Sequence, residues 1–116
     1  MKIMHYGEAE TKEFNGDIVK DVTGRVLIGK ADGADNFCMR MFELAENGYT
    51  PKHSHDWEHE IFFHAGKGEV LLQNEWVPVE QGHAAFIPGN KEHQIRNTGN
   101  EPLMFICLIP SGAPEL

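Results

Sequence analysis

The chain has 116 residues, 41% of them hydrophobic and 24% charged, with 18 acidic against 10 basic side chains and a formal charge of -8. That length suits one domain with a real core and no need of disulfides, and the composition argues against disorder. The acidic balance repels phosphate backbones and anionic lipid, so nucleic acid and membrane surfaces are not expected as partners.

No apolar stretch approaches the ~20 residues of a membrane span. The opening Met1–Glu8 turns polar too early for a signal peptide, so a cytoplasmic location is expected. Cys38 and Cys107 lie far apart inside apolar runs and read as reduced core or pocket residues rather than a disulfide or a zinc site.

Residues 1–24 are polar and irregular and read as an N-terminal arm, one that can add a strand to the domain or to a partner subunit. Short β-rich runs follow at Arg25–Gly29, Phe37–Leu44, His59–Ala65, Glu69–Gln73, Trp76–Val79, Ala84–Ile87, Gln94–Asn97 and Leu103–Ile109. Turn residues separate them at Asp32-Gly33, Asn47-Gly48, Gly66-Lys67-Gly68, Gln81-Gly82, Pro88-Gly89-Asn90 and Thr98-Gly99-Asn100. Residues 111–116 read as a loose tail. No window carries a helical period. The expectation is one all-β domain over residues 1–116, a sandwich or barrel built mainly from residues 25–110.

Four of the seven histidines are spaced as a metal site requires. His53 and His55 lie two apart, so on extended backbone both rings leave the same face. His59 opens the next β run after Asp56-Trp57-Glu58, and His93 opens another after Lys91-Glu92. Neutral imidazole is the commonest side-chain ligand for first-row transition metals. A lone His-x-His also occurs by chance on surfaces, and spacing alone leaves His93 open.

Two longer patterns bear on this. The first runs Gly48, four residues, His53-Ser54-His55, three residues, His59, six residues, Gly66; the second runs Gly82, five residues, Pro88-Gly89-Asn90, two residues, His93, three residues, Asn97. Together they resemble the two motifs of the cupin superfamily, in the right order and at a separation found in compact microbial members. The first Gly-to-His interval is one residue short. Asn90 stands where a turn glycine is usual, a position asparagine tolerates. The glutamate ligand usual in the family has two candidates here, His59 and Glu60. Counting to Gly66 selects His59, and strand parity sends Glu60 to the opposite face.

The resemblance is to small single-domain cupins with four-histidine manganese sites. It implies a double-stranded β-helix (jelly-roll) barrel and one divalent transition metal on His53, His55, His59 and His93. Mn(II) is the first choice by that resemblance; Fe(II), Ni(II), Cu(II) and Zn(II) suit the same ligands. Four neutral ligands leave the metal charge uncompensated, which suits polarisation of a carbonyl or phenolate and a bidentate substrate or one beside dioxygen.

Parity supplies substrate-pocket candidates. Ile95 shares the face of His93. On the last run Phe105, Cys107 and Ile109 form one face and Met104, Ile106 and Leu108 the other; the first set goes to the pocket because similar cupins place such a cysteine near the metal. Arg40 interrupts an apolar run, so it sits at an edge or inside with a partner, where it can anchor a substrate carboxylate. Trp57 is expected to shield the mouth of the site, or else to pack on the barrel rim. His5, His64 and His83 carry structural or surface roles.

Three functions remain open on these residues: a metal-dependent oxidoreductase of the dioxygenase type, a non-redox isomerase or lyase on the same metal, and a non-enzymatic binding barrel. Fold alone does not choose among them. In each case the partner is a small molecule, and a homodimer paired through outward apolar residues such as Phe62 is expected.

Overall fold

Alternating burial along the β runs sets the architecture. The computed structural model describes residues 1–116 and contains nine strands: β1 Lys12–Phe14, β2 Lys20–Ile28, β3 Phe37–Tyr49, β4 His59–Ala65, β5 Lys67–Leu72, β6 Glu75–Glu80, β7 Ala84–Ile87, β8 His93–Asn97 and β9 Leu103–Pro110. Two single 3-10 turns, Tyr6–Glu8 and Lys30–Asp32, are its only helical pieces. No helix is long and apolar enough to cross a membrane. The strands form one antiparallel sheet in the order β6-β5-β8-β3-β9-β4-β7, with β2 on the free side of β3 and β1 beyond it.

Curling the sheet brings the inward residues together. Val22, Leu44, Ile61, Phe63, Val70, Ile87, Ile95, Leu103 and Phe105 form one buried cluster. On β9, Leu103, Phe105, Cys107 and Ile109 are buried while Met104, Ile106 and Leu108 are half-buried, so the odd-numbered face is the inner one. On β4 the same alternation buries His59, Ile61 and Phe63 and exposes Glu60 and Phe62.

Three segments differ from the sequence expectation. β2 starts at Lys20, inside the segment read as an arm, because a bulge after Lys20 absorbs the left-handed Asp21 (φ 49°) and Gly24 fits where a side chain would meet Phe42. β3 runs on to Tyr49. It pairs with β9 along Phe37–Leu44, passes a left-handed Asn47 (φ 65°) and then meets β8 at Tyr49↔Arg96. The tail is tied down: Ser111 N–H donates to Asn36 O at 3.0 Å, Lys30 N–H donates to the Glu115 carboxylate at 2.8 Å, and Leu116 lies against Gly24.

Two glycines hold the frame of the site. Gly66 (φ 85°) turns β4 into β5 where any Cβ would strike Pro102 O. At Gly89 a Cβ would sit 2.5 Å from Asp56 O, so only glycine lets the 88–90 turn press against the loop carrying His55. The neighbouring Asn90 takes φ 65° and its N–H donates to His55 O at 2.6 Å.

Candidate metal centre

Four imidazoles meet at one end of the barrel. His59 is supplied by the start of β4 and His93 by the start of β8, both facing inward. His53 and His55 lie in the loop between β3 and β4 rather than on a strand. Pro51 ends the β3 pairing, and a single bridge, His53 N–H to His93 O at 3.1 Å and His93 N–H to His53 O at 2.9 Å, ties the loop to β8. The i, i+2 spacing still brings both rings to one side.

Ring centroids lie 4.7 Å apart for His53–His93 and His55–His59, 5.0 Å for His53–His55 and His55–His93, and 5.1 Å for His59–His93. Ligand atoms of His53, His55 and His93 all lie within 4.8 Å of one another, so these three can hold a metal ion. His59 Nε2 stands 2.9 Å from His55 Nε2. At that separation the two Nε2 atoms can face one ion together.

The outer ring nitrogens fit the same purpose. His55 Nδ1 faces Trp57 O at 2.9 Å and His93 Nδ1 faces Lys91 O at 2.8 Å. A carbonyl only accepts, so each Nδ1 carries the proton and each Nε2 is left bare for a metal. His59 Nδ1 instead faces Cys107 Sγ at 3.2 Å and Arg40 Nη2 at 3.4 Å.

Burial disfavours charge on three of the rings. It lowers His53 to about 4, with help from His93 and His55, and lowers His59 to about 3, with help from Arg40 and the other rings. His55 is lowered by burial against the opposing pull of Trp57 O. Burial pushes the Cys107 thiol up, against Arg40, so the sulfur carries its proton.

The rings open into a cavity of about 200 Å³. His53, His59 and His93 border it, with Arg40, Ile95, Phe105 and Cys107 from the sequence-derived set. Ile109 is buried in the core and does not border the cavity; Trp57 stacks flat on His55 (4.0 Å, 7°) and faces an outer cleft with Asp56 and Glu58. Phe14, Val19, Val22, Phe42, Ile61 and Leu116 complete the apolar wall. Phe14, Val19 and Leu116 come from arm and tail, whose isolated apolar residues carry no period to flag them. Glu60 points outward. His83 Nδ1 accepts from Glu80 N–H at 2.8 Å and His5 Nδ1 from Gly7 N–H at 3.0 Å, while the half-buried His64 has no partner at Nε2.

A curled antiparallel sheet with this cluster at its mouth agrees with a profile match. Residues 40–109 match the family described as "Cupin domain". The chain belongs to the cupin family. Among solved structures, this cupin is similar to the polyketide cyclase RemF from Streptomyces resistomycificus: 34% identity, TM-score 0.90, 98% of this chain and 82% of that one. It is also similar to a glucose-6-phosphate isomerase from Thermococcus gammatolerans, 40% identical over 53 residues, which span 41% of this cupin and only 28% of the isomerase. An oxalate-binding protein from Thermotoga maritima is 34% identical over 58 residues, 49% of this cupin and 48% of that protein.

Proposed function

We propose that this cupin is a metal-dependent oxidoreductase of the dioxygenase type, acting on a small, mostly apolar molecule that presents anionic oxygens. The observation that carries the reading is the wall of the cavity. Imidazoles converge there, yet no Asp, Glu, Lys or Tyr borders it. His53, His55, His59 and His93 would hold a divalent metal, Mn(II) in first place and Fe(II) in second. Bound there, the metal supplies Lewis acidity and, when redox-active, electron transfer.

The chain's own residues do the rest. Phe14, Phe42, Phe105 and Ile95 take the apolar body of the substrate and exclude water. Arg40 and a metal on neutral ligands leave positive charge uncompensated, which favours enolate, phenolate or carboxylate oxygens. A cavity of about 200 Å³ is small beside drug-sized pockets, so the substrate has one or two rings at most. A second reading, non-redox isomerisation or cyclisation on the same metal, draws on the likeness to the polyketide cyclase. We also place this cupin in the cytoplasm, as a homodimer; its two buried, unpaired cysteines suit a reducing compartment.

The test is metal content by inductively coupled plasma mass spectrometry on untagged protein purified without added metal. Wild type and Glu60→Ala are expected to carry near-stoichiometric manganese or iron, and His55→Ala to have lost most of it. Oxygen uptake with simple 1,3-diketones and phenols would then support the oxidoreductase. Turnover with zinc or without oxygen would favour the second reading, and tight binding without turnover would leave a binding barrel. Absence of metal in every form, even after reconstitution, would overturn the metal centre itself.

A further inference from the structure

Arg40 is a buried charge with no carboxylate beside it. It lies on the inner face of β3 at 7% exposure and belongs to none of the ion pairs of the chain. Its Nη1 donates to Glu115 O at 3.3 Å, its Nη2 donates to Cys107 Sγ at 3.0 Å, and its Nε has no partner. Such a group is costly to bury, so its placement asks for a reason.

Register explains what it reaches. Arg40 on β3 stands opposite Cys107 on β9, and Cys107 stands opposite Ile61 on β4, two residues from His59. The Cys107 sulfur therefore lies between a guanidinium and an imidazole, 3.0 Å from one and 3.2 Å from the other.

The chemistry of the three groups is restrictive. To ligate through Nε2, His59 must carry its proton on Nδ1 and give it to an acceptor. His55 and His93 use backbone carbonyls for this. His59 has no carbonyl there, and a guanidinium can only donate. The sulfur is the one acceptor in reach. A bare Nδ1 would instead accept from the thiol or from Arg40 Nη2 at 3.4 Å, which serves the other, metal-free tautomer, in which His59 Nε2–H points at His55 Nε2 2.9 Å away. Arg40, donating to the same sulfur, fixes where its lone pairs lie.

We infer that Cys107, oriented by Arg40, is a positioning residue for His59: its sulfur accepts the Nδ1 proton and so stabilises the tautomer that binds metal. This rests on the four-histidine reading above. Neither motif of the sequence contains Arg40 or Cys107, which lie 67 residues apart.

The experiment measures Zn(II) affinity by chelator competition for wild type, Cys107→Ala, Cys107→Ser and His59→Ala, with proton–nitrogen NMR of the histidine rings in the zinc-loaded proteins. Cys107→Ala is expected to weaken Zn(II) binding about 10- to 100-fold, the usual cost of losing an outer-shell partner. Cys107→Ser, whose hydroxyl also accepts, should recover most of the loss. The His59 Nδ1–H resonance should be downfield and slow to exchange in wild type and Cys107→Ser, and upfield and fast in Cys107→Ala. A mere packing role would move folding but not this resonance, and circular dichroism of each variant checks the fold. Unchanged affinity or an unchanged resonance in Cys107→Ala, with His59→Ala still weakened, would overturn the positioning role alone. Wild-type affinity in His59→Ala would overturn the four-histidine reading beneath it.

Discussion

Burial at the mouth of the barrel disfavours charge on His53, His55 and His59, and this makes the site sensitive to acid. Burial and repulsion lower His59 from 6.5 to about 3 and His53 from 6.5 to about 4. In the unfolded chain both titrate near the ordinary value. Between those limits the unfolded state binds protons that the folded state refuses, so stability rises with pH through the window and is lost as pH falls through it. His53 is the more exposed of the two at the rim, so solvent screens its share and the buried His59 carries most of the effect. Metal-stripped protein is therefore expected to lose thermal stability steadily from pH 7 towards pH 4, with a shallower slope in His59→Gln. Melting curves across that range check it, and a flat profile in wild type would sink the idea. The close spacing of His53, His55 and His59 was legible beforehand, whereas His93 entered only through the resemblance to the cupin motifs, because its place depends on β8 bridging back to His53. The Arg40–Cys107–His59 contact was not legible, since it depends on which strands β9 lies between.

Between strands, Asn97 does what no apolar residue could. At 5% exposure, its side-chain NH2 shares two protons among Leu44 O at 3.0 Å, Ala45 O at 3.1 Å and Glu101 O at 2.8 Å, and its Oδ1 accepts from Gly99 N–H at 2.8 Å. It thereby ties the bend in β3, the end of β8 and the turn into β9. Asn97→Ala would strand these groups, each buried group left unpaired costing about 1–3 kcal/mol. Some regain water, so a loss of roughly 2–4 kcal/mol is expected in urea unfolding, with the metal affinity of the folded fraction unchanged. A loss under about 0.5 kcal/mol, the scale of an ordinary surface change, would show that the turn re-satisfies itself. The core strands were legible because short β-rich runs are bounded by turn residues, as at His59–Ala65 before Gly66 and Ala84–Ile87 between Gly82 and Pro88. β1 and the first half of β2 were not: three residues carry no period, and Asp21 and Gly24 look like loop chemistry until β3 pairs with them.

Over the whole molecule, one sheet face stands out from an otherwise acidic surface. The outer side of β4, β7 and β9 presents Phe62 at 49% and Phe86 at 56% exposure, flanked by Ala84, Ile106 and Leu108, with Glu60 the only charge in the depression. Apolar patches of this kind on soluble proteins mark contact surfaces. The proposed homodimer uses this face on both copies, because two-fold pairing lets one patch cover itself. Each copy carries a formal charge of -8, so the two repel, and the attraction comes from apolar area alone. Salt screens the repulsion and strengthens burial, so dimerisation should tighten as ionic strength rises, opposite to a contact built on ion pairs. Light scattering after size exclusion is expected to give twice the chain mass for wild type. Phe62→Glu combined with Phe86→Glu should give the single-chain mass, with metal content retained because neither side chain faces the barrel interior. A wild type that stays monomeric at high concentration and high salt, or a double variant that still pairs, would show that this face has another use.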